Sequence, residues 1–238
     1  MKILLTGGSG LLGREILKLD PFLTAPSHEE LDITQAASVQ EALKRYHPDI
    51  ILHLAADTNT LEQEKNPQKG LRTNVIGTGH VAMACLEQNI RLVYTSTDYV
   101  YQGPGLHREE EPVWAPYNFA WSKLGGEAAV AMCPNSLILR LSFGPAPFPW
   151  EQVYEGQVNS KLYADEIAPL VLAAARSSAK GILNIGGPRT TLEAYAKRTR
   201  PDIRTIPCPA WVPKDTSLDL GKMKQVLGIP DEKKLLKH

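Results

Sequence analysis

The chain has 238 residues, and its 26 basic and 26 acidic side chains leave no formal net charge. There is no basic excess to suggest nucleic acid, no polybasic run for a membrane surface, and no apolar stretch of bilayer-spanning length. The first residues carry one lysine and an apolar run too short for a signal peptide. Cys85, Cys133 and Cys208 stand far apart without zinc spacing, so a cytoplasmic protein with reduced thiols and no metal site is expected.

Ile3, Leu4 and Leu5 form a short apolar run, as in a buried parallel strand. Gly7, Gly10 and Gly13 follow, spaced G-x-x-G-x-x-G, and Leu11, Leu12 and Ile16 lead an amphipathic stretch. Strand, glycine turn and helix in this order meet the context test for a dinucleotide fingerprint. Gly7 would serve the turn, Gly10 the close approach of a pyrophosphate, and Gly13 the packing of helix on strand. The helix N-terminus would aim unpaired N–H groups at the phosphates. A glycine-rich turn in an α/β protein without a cofactor is the plainer alternative.

Residues 22–26 can form a second strand. An acid often stands about 20 residues past the glycines to bind the adenosine ribose. Here the stretch reads Ala25-Pro26-Ser27-His28, which favours NADP over NAD, with Arg14, Ser27 or His28 near the extra phosphate. In Leu31-Asp32-Ile33, Asp32 either reaches the adenine or caps the helix that starts near Thr34. Residues 35–46 show helical periodicity. Residues 50–54 read as a third strand, with Ala55 and Ala56 at its carboxyl end. Residues 71–88 read as a long helix containing Asn74, and 91–95 as a fourth strand ending at Thr95, before Ser96-Thr97-Asp98. Ligands in open α/β sheets bind outside these carboxyl ends.

Residues 99–116 read as a loop, 120–132 as a helix and 136–141 as a fifth strand. A breaker run occupies 144–149. A helix over 161–176, a sixth strand over 181–185 and a short helix over 191–199 follow, and the tail over 200–213 is proline-rich and weakly patterned. The alternation predicts right-handed βαβ units and a doubly wound parallel sheet, a Rossmann-like α/β fold with a small C-terminal annex.

The motifs TGGSGLLG, LDIT, LHLAADTN, YTSTDYVY, SKLGGE, YADEIA and KDTSLDLGKM, with Asn74 between them, occur in a familiar order. The chain resembles the dTDP-4-dehydrorhamnose reductases (RmlD-like), of the extended short-chain dehydrogenase/reductase superfamily. The resemblance is strongest in the first 140 or so residues. It implies an NADP or NAD cofactor, a nucleotide-sugar substrate and hydride transfer at the sugar's C4 ketone, as in dTDP-rhamnose biosynthesis. It implies a cofactor site at Gly7, Gly10, Leu11, Leu12, Gly13, Asp32, Ile33, Ala55, Ala56, Asn74, Thr95 and Lys123. It divides the chain into a dinucleotide-binding part, 1–141 with a returning strand near 181–186, and a partly interleaved substrate part, 142–238. A homodimer stays open.

The family protonates the ketone oxygen with a tyrosine four positions before a lysine, which puts both on one helical face. A Thr or Ser hydroxyl beyond the fourth strand bonds the same oxygen. Lys123 and Thr97 match, but Phe119 stands where the tyrosine belongs. Phenylalanine keeps the ring and loses the O–H, and general acid catalysis is worth about 10²–10⁴ in rate. Three readings stay open: a substitution introduced to trap a complex, another phenol in the role (Tyr117, Tyr99 or Tyr101), or a protein that binds cofactor without the chemistry. Tyr117 would sit off the shared face on a continued helix, unless the helix starts irregularly after Pro116. The segment over 142–162 is also short for the family. Trp150, Tyr154 and Trp211 would there either stack on a nucleotide base or pack a small annex core. A sugar-nucleotide reductase, a non-catalytic binding protein or regulatory subunit, and another extended short-chain enzyme are the competing functions.

Overall fold

The computed structural model describes residues 1–230. In chain order it contains β1 (Ile3–Thr6), α1 (Leu11–Leu19), α2 (Ala36–Tyr46), β2 (Ile50–His53), α3 (Thr60–Lys65) and α4 (Gln68–Gly70). A π-helical stretch, Leu71–Gly77, runs into α5 (Thr78–Gln88), then come β3 (Arg91–Thr95), a 3₁₀ turn Asp98–Val100, α6 (Asn118–Ala131) and β4 (Ser136–Leu141). The remainder holds β5 (Phe143–Gly144), β6 (Gln152–Tyr154), β7 (Val158–Asn159), β8 (Leu162–Tyr163), α7 (Ala164–Arg176), β9 (Gly181–Ile185), β10 (Thr190–Thr191), α8 (Leu192–Lys197), β11 (Arg204–Ile206) and α9 (Gly221–Leu227).

Five strands form the central sheet in the order β1-β2-β3-β4-β9, every pair parallel. The side-chain period of two sends alternate residues of each strand to opposite faces. Ile3 and Leu5 of β1 with Leu137, Leu139 and Leu141 of β4 pack against Leu12 and Ile16 of α1, Ile167 and Val171 of α7 and Met223 of α9. Leu4, Ile51, Leu92 and Ile138 face the other way, against Val39 and Leu43 of α2, Val81 and Cys85 of α5, and Val130 of α6. Helices on both faces explain why these strands read as unbroken apolar runs. The doubly wound α/β fold expected from the sequence is the fold observed.

The second strand expected over 22–26 is reduced to a single parallel bridge between Leu4 and Thr24. Thr24 N–H donates to Ile3 O at 3.2 Å and Thr24 O accepts from Leu5 N–H at 2.7 Å, and pairing ends there. Phe22 is 96% exposed, so its side chain adds no packing at this edge. Pro26 has no N–H to continue a ladder. The helix expected from 161 begins instead at Ala164. Leu162 and Tyr163 are first drawn into pairing with β5, and the Glu166 carboxylate then accepts from Tyr163 N–H at 2.9 Å, capping the helix.

Residues beyond β4 build a small annex from two-stranded pairings, β6 with β11 and β7 with β10, around Phe148, Val153, Tyr163, Tyr195, Ala196 and Ile203. The tail expected to be weakly patterned supplies β11, which the sequence hid because three residues carry no readable period. No helix among the described residues is long and apolar enough to cross a membrane. Among them no cluster of His, Cys, Asp and Glu could hold a metal ion, and the three cysteines are free.

Candidate active site

The glycine turn is built around backbone contact. Gly7 lies at φ +73°, where L side chains are strained, and a Cβ there would stand 2.7 Å from Ala55 N. A Cβ on Gly13 would stand 2.4 Å from Gly7 O, so α1 can pack this close to the turn only with glycine. Gly10 has more room: its Cβ would meet only Gly7 O, at 3.1 Å. Gly10 is the N-cap of α1 and offers no side chain to cap it. The first N–H groups of a helix have no acceptor within it. Here Gly10, Leu11, Leu12 and Gly13 all line one large cavity. Bare backbone, uncapped N–H groups and a helix dipole fit a diphosphate, as a dinucleotide cofactor requires.

That cavity has a volume of about 1150 Å³. Its wall also includes Ala56, Thr95, Ser96, Thr97, Tyr117, Phe119 and Lys123, and Trp150, Tyr154 and Trp211 of the annex. The three annex aromatics line the cavity, and Trp150 also packs edge-on against Phe148 of the annex core, with centroids 5.1 Å apart. Thr97 Oγ1 accepts from Tyr99 N–H at 3.2 Å and donates to Asp98 Oδ1 at 3.3 Å. Ser96 Oγ is buried with no hydrogen-bond partner among the described residues.

Lys123 is only 4% exposed, and its Nζ lies 4.3 Å from the centre of the Tyr94 ring. Burial pulls the ammonium down to about 7, with Glu127 opposing the shift. The cation–π contact compensates part of the lost hydration. Beneath, His53 bridges the first two strands and α5: Nδ1 pairs with Thr6 Oγ1 at 2.6 Å and Nε2 with Thr78 Oγ1 at 3.0 Å. Burial holds His53 at about 3, so it is neutral and both ring nitrogens serve structure.

Phe119 occupies the first turn of α6, 8% exposed and on the cavity wall. Tyr117 is the extended N-cap of that helix, at φ −155° and ψ 168°. Because the helix starts only at Asn118, Tyr117 escapes the helical spacing that would have turned it away, and it lines the cavity with Lys123 and Thr97. Its ring meets Tyr99 and Trp211 edge-on, with centroids 5.5 and 6.4 Å apart. Burial, then the neighbouring Tyr99 and Asp98, push its phenol strongly up, so it stays protonated.

Other expected residues lie off the cavity wall. Asp32 accepts from Thr34 N–H at 2.9 Å and from Thr34 Oγ1 at 2.8 Å, closing a local turn; it caps no helix, because α2 begins only at Ala36 with Gln35 as its N-cap. Ile33 is buried against Gly77. Ala55 braces the Gly7 turn, and its N–H donates to Thr6 Oγ1 at 3.2 Å. Asn74, fully buried in the π-helical stretch, accepts from Asp57 N–H at 2.8 Å and donates to Asp57 O at 2.9 Å and Ser122 Oγ at 2.8 Å. It clamps the loop after β2 to α6, one turn from Phe119.

Sequence reading placed Asp57–Asn59 in the LHLAADTN motif but gave that loop no role. Thr58, Asn59, Thr60 and Glu64 line the cavity, and Asn59 caps α3 by accepting from Glu62 N–H at 3.1 Å. Gln63 completes the clamp, donating to Asp57 O at 2.9 Å and accepting from Ser122 Oγ at 3.1 Å. The run Asp57-Thr58-Asn59-Thr60 after a strand was the available signal, since such residues start helices. Lys161 on the cavity wall was missed as well.

Among proteins of known name, the chain is 36% identical over 133 residues to a dTDP-4-dehydrorhamnose reductase of Streptomyces griseus, covering 53% of this chain and 44% of that one. It is 30% identical over 141 residues to methionine adenosyltransferase 2 subunit beta of Pongo abelii, covering 54% and 42%. The chain thus spans about half the length of the curated relatives it matches. A solved dTDP-4-dehydrorhamnose reductase from Bacillus anthracis, in complex with NADP, superposes at a TM-score of 0.83 and 23% identity, covering 94% of this chain and 93% of that one. That likeness establishes the fold. Residues 1–144, more than half of the chain, match the RmlD substrate binding domain family, and the chain belongs to it.

Proposed function

We propose that this chain is an NADPH-dependent reductase of a 4-keto nucleotide sugar. The observation that carries the reading is the single cavity that joins the bare glycine turn to Thr97, Tyr117 and Lys123 and to the annex aromatics. A bound nicotinamide cofactor would supply the hydride. Gly7, Gly10 and Gly13 would hold its diphosphate, and Ala56, Thr95 and Lys123 would line the nicotinamide side. Thr97 would orient the ketone through its hydroxyl. Tyr117 would donate the proton to the ketone oxygen, and Lys123 would hold the cofactor ribose and stabilise the developing phenolate. Trp150, Tyr154 and Trp211 would take the base or sugar by stacking.

NADP is preferred over NAD on this reading, because no acid stands at Ala25–His28 to take the ribose 2′-hydroxyl. Residues 1–141, with the returning strand near 181–186, form the cofactor part, and 142–238 the partly interleaved substrate part, whose last eight residues lie outside the described ones. A cytoplasmic setting and a homodimer belong to the same proposal.

A second reading is favoured by Phe119: a cofactor- or nucleotide-sugar-binding protein without turnover. A relative named as a subunit of another enzyme supports it. The test is NADPH consumption with a panel of 4-keto nucleotide sugars, for the unchanged chain and for Phe119→Tyr and Tyr117→Phe. Turnover that Tyr117→Phe abolishes supports the reductase. NADPH and sugar that bind without turnover in any of the three forms support the second reading.

A further inference from the structure

Lys161 stands just before β8, outside every residue assigned above to cofactor or proton transfer, yet on the wall of the same cavity. Its stem runs along Gly144, where an added Cβ would come within 3.1 Å of Lys161 Cε. A side chain at 144 would crowd that stem. The ammonium makes one long hydrogen bond, to Ser142 Oγ at 3.5 Å, and no ion pair among the described residues. Three N–H donors on one partly buried nitrogen are therefore served by a single weak acceptor.

The carboxylate that acts on Lys161 is Asp98, and its oxygens are engaged elsewhere. Oδ2 accepts from Thr216 Oγ1 at 2.7 Å and Oδ1 from Thr97 Oγ1 at 3.3 Å. Asp98 acts on Lys161 through space, holding its charge against the downward pull of burial. A buried ammonium without a contact partner is costly. Here the cost falls on a cavity wall, where a ligand can supply the missing partner. Lys161 and Thr97 line the same cavity, so a ligand seated at Thr97 shares that space with the ammonium. The diphosphate of the cofactor is already provided for at the glycine turn.

We infer that Lys161 is a specificity-determining residue that pairs with an anionic oxygen of the bound nucleotide sugar. This rests on the nucleotide-sugar reading and narrows it. Two sources offer such an oxygen: a carboxylate on the sugar ring, or the sugar's own diphosphate.

The experiment is calorimetric titration of the full chain, saturated with NADP⁺, against UDP, UDP-glucose and UDP-glucuronate, and against dTDP and dTDP-glucose. It is repeated with Lys161→Met, which keeps the stem on Gly144, and with Lys161→Arg, which keeps the charge. Unchanged NADP⁺ affinity and thermal midpoint verify that each variant is folded. The inference predicts a loss of about 10- to 100-fold in Lys161→Met, largely restored in Lys161→Arg. A loss confined to UDP-glucuronate assigns the partner as a sugar carboxylate. An equal loss for every ligand, the bare diphosphates included, assigns it as the diphosphate. Unaltered affinities in Lys161→Met overturn the inference while leaving the nucleotide-sugar reading standing. Failure of the unchanged chain to bind any of the five overturns that reading, and the inference with it.

Discussion

The two ends of the cavity are made of different material. The glycine turn presents backbone, held by contacts so close that no side chain fits: Gly7 against Ala55, and Gly13 against the carbonyl of Gly7. The opposite end presents side chains: Phe119 and Lys123 from α6, Tyr117 from its N-cap, Thr97 from beyond β3 and Lys161 from just before β8. A backbone site has no functional group to lose by substitution; it fails when something is added. A side-chain site fails one atom at a time, and on the proposed reading the oxygen absent at Phe119 is such a loss. The proposed function pairs a backbone cradle that is intact with a side-chain end that departs from the family pattern at Phe119.

Additions at the cradle should have the largest effects, and they should differ between neighbouring glycines. Gly13→Val pushes side-chain atoms into Gly7 O and Gly8 and should destabilise the fold by about 3 kcal/mol or more, read by urea denaturation. Gly10→Val meets only one oxygen and should fold normally. Calorimetry should show its NADPH affinity reduced by roughly a hundredfold or more, about 2.7 kcal/mol. Equal damage to stability in both variants would break the distinction between a packing glycine and an approach glycine.

At the side-chain end, removing one oxygen should matter nearly as much. With Tyr117 as the donor, Tyr117→Phe should lower turnover by roughly 10²-fold while cofactor affinity barely changes, and Phe119→Tyr should do little. A rise of that size in Phe119→Tyr, with no loss in Tyr117→Phe, would move the donor to position 119. Steady-state rates on one sugar distinguish the two.

The clamp between these ends comes next. Asn74→Ala removes three hydrogen bonds from a fully buried amide and leaves Asp57 N–H unpaired. It should cost about 2–4 kcal/mol of stability. Because it frees the loop after β2, it should also raise KM for the sugar more than it weakens NADPH.

The smallest effect is one of pH. The Lys123 ammonium is held at about 7 by burial, against an ordinary 10.5. Between those values the unfolded chain keeps a proton that the folded chain has released, so this residue makes stability rise with pH across that window. Lys123→Met should flatten that rise in denaturation curves taken at several pH values. A rise of the same slope in the variant would assign the effect to other groups.

The backbone end was the more legible in the sequence. Its glycines, the apolar strands and the flanking helix each leave a local signature, and Gly7, Gly10 and Gly13 sit where that signature puts them. The side-chain end was read only in part. Thr97 and Lys123 follow from motif spacing. The role open to Tyr117 depends on α6 starting one residue after it, and helix starts are poorly fixed by periodicity. Asp32, Ile33 and Asn74 carried family-like motifs, yet their side chains hold helices and loops in place, because a motif records that a residue is needed and not which neighbour needs it. Lys161 had no motif at all. Its place on the wall comes from two-residue strands, β5 and β8, too short to show a period.

The most direct test of the central claim follows hydride itself. The chain would be mixed with NADPH deuterated at the transferable position and a 4-keto-6-deoxy nucleotide sugar, and the product examined by mass spectrometry and NMR. The account predicts deuterium at C4 of the sugar, slowly with the unchanged chain and faster with whichever variant improves the proton donor. Bound NADPH and bound sugar, with no deuterium in the product from the unchanged chain or from Phe119→Tyr, would contradict it.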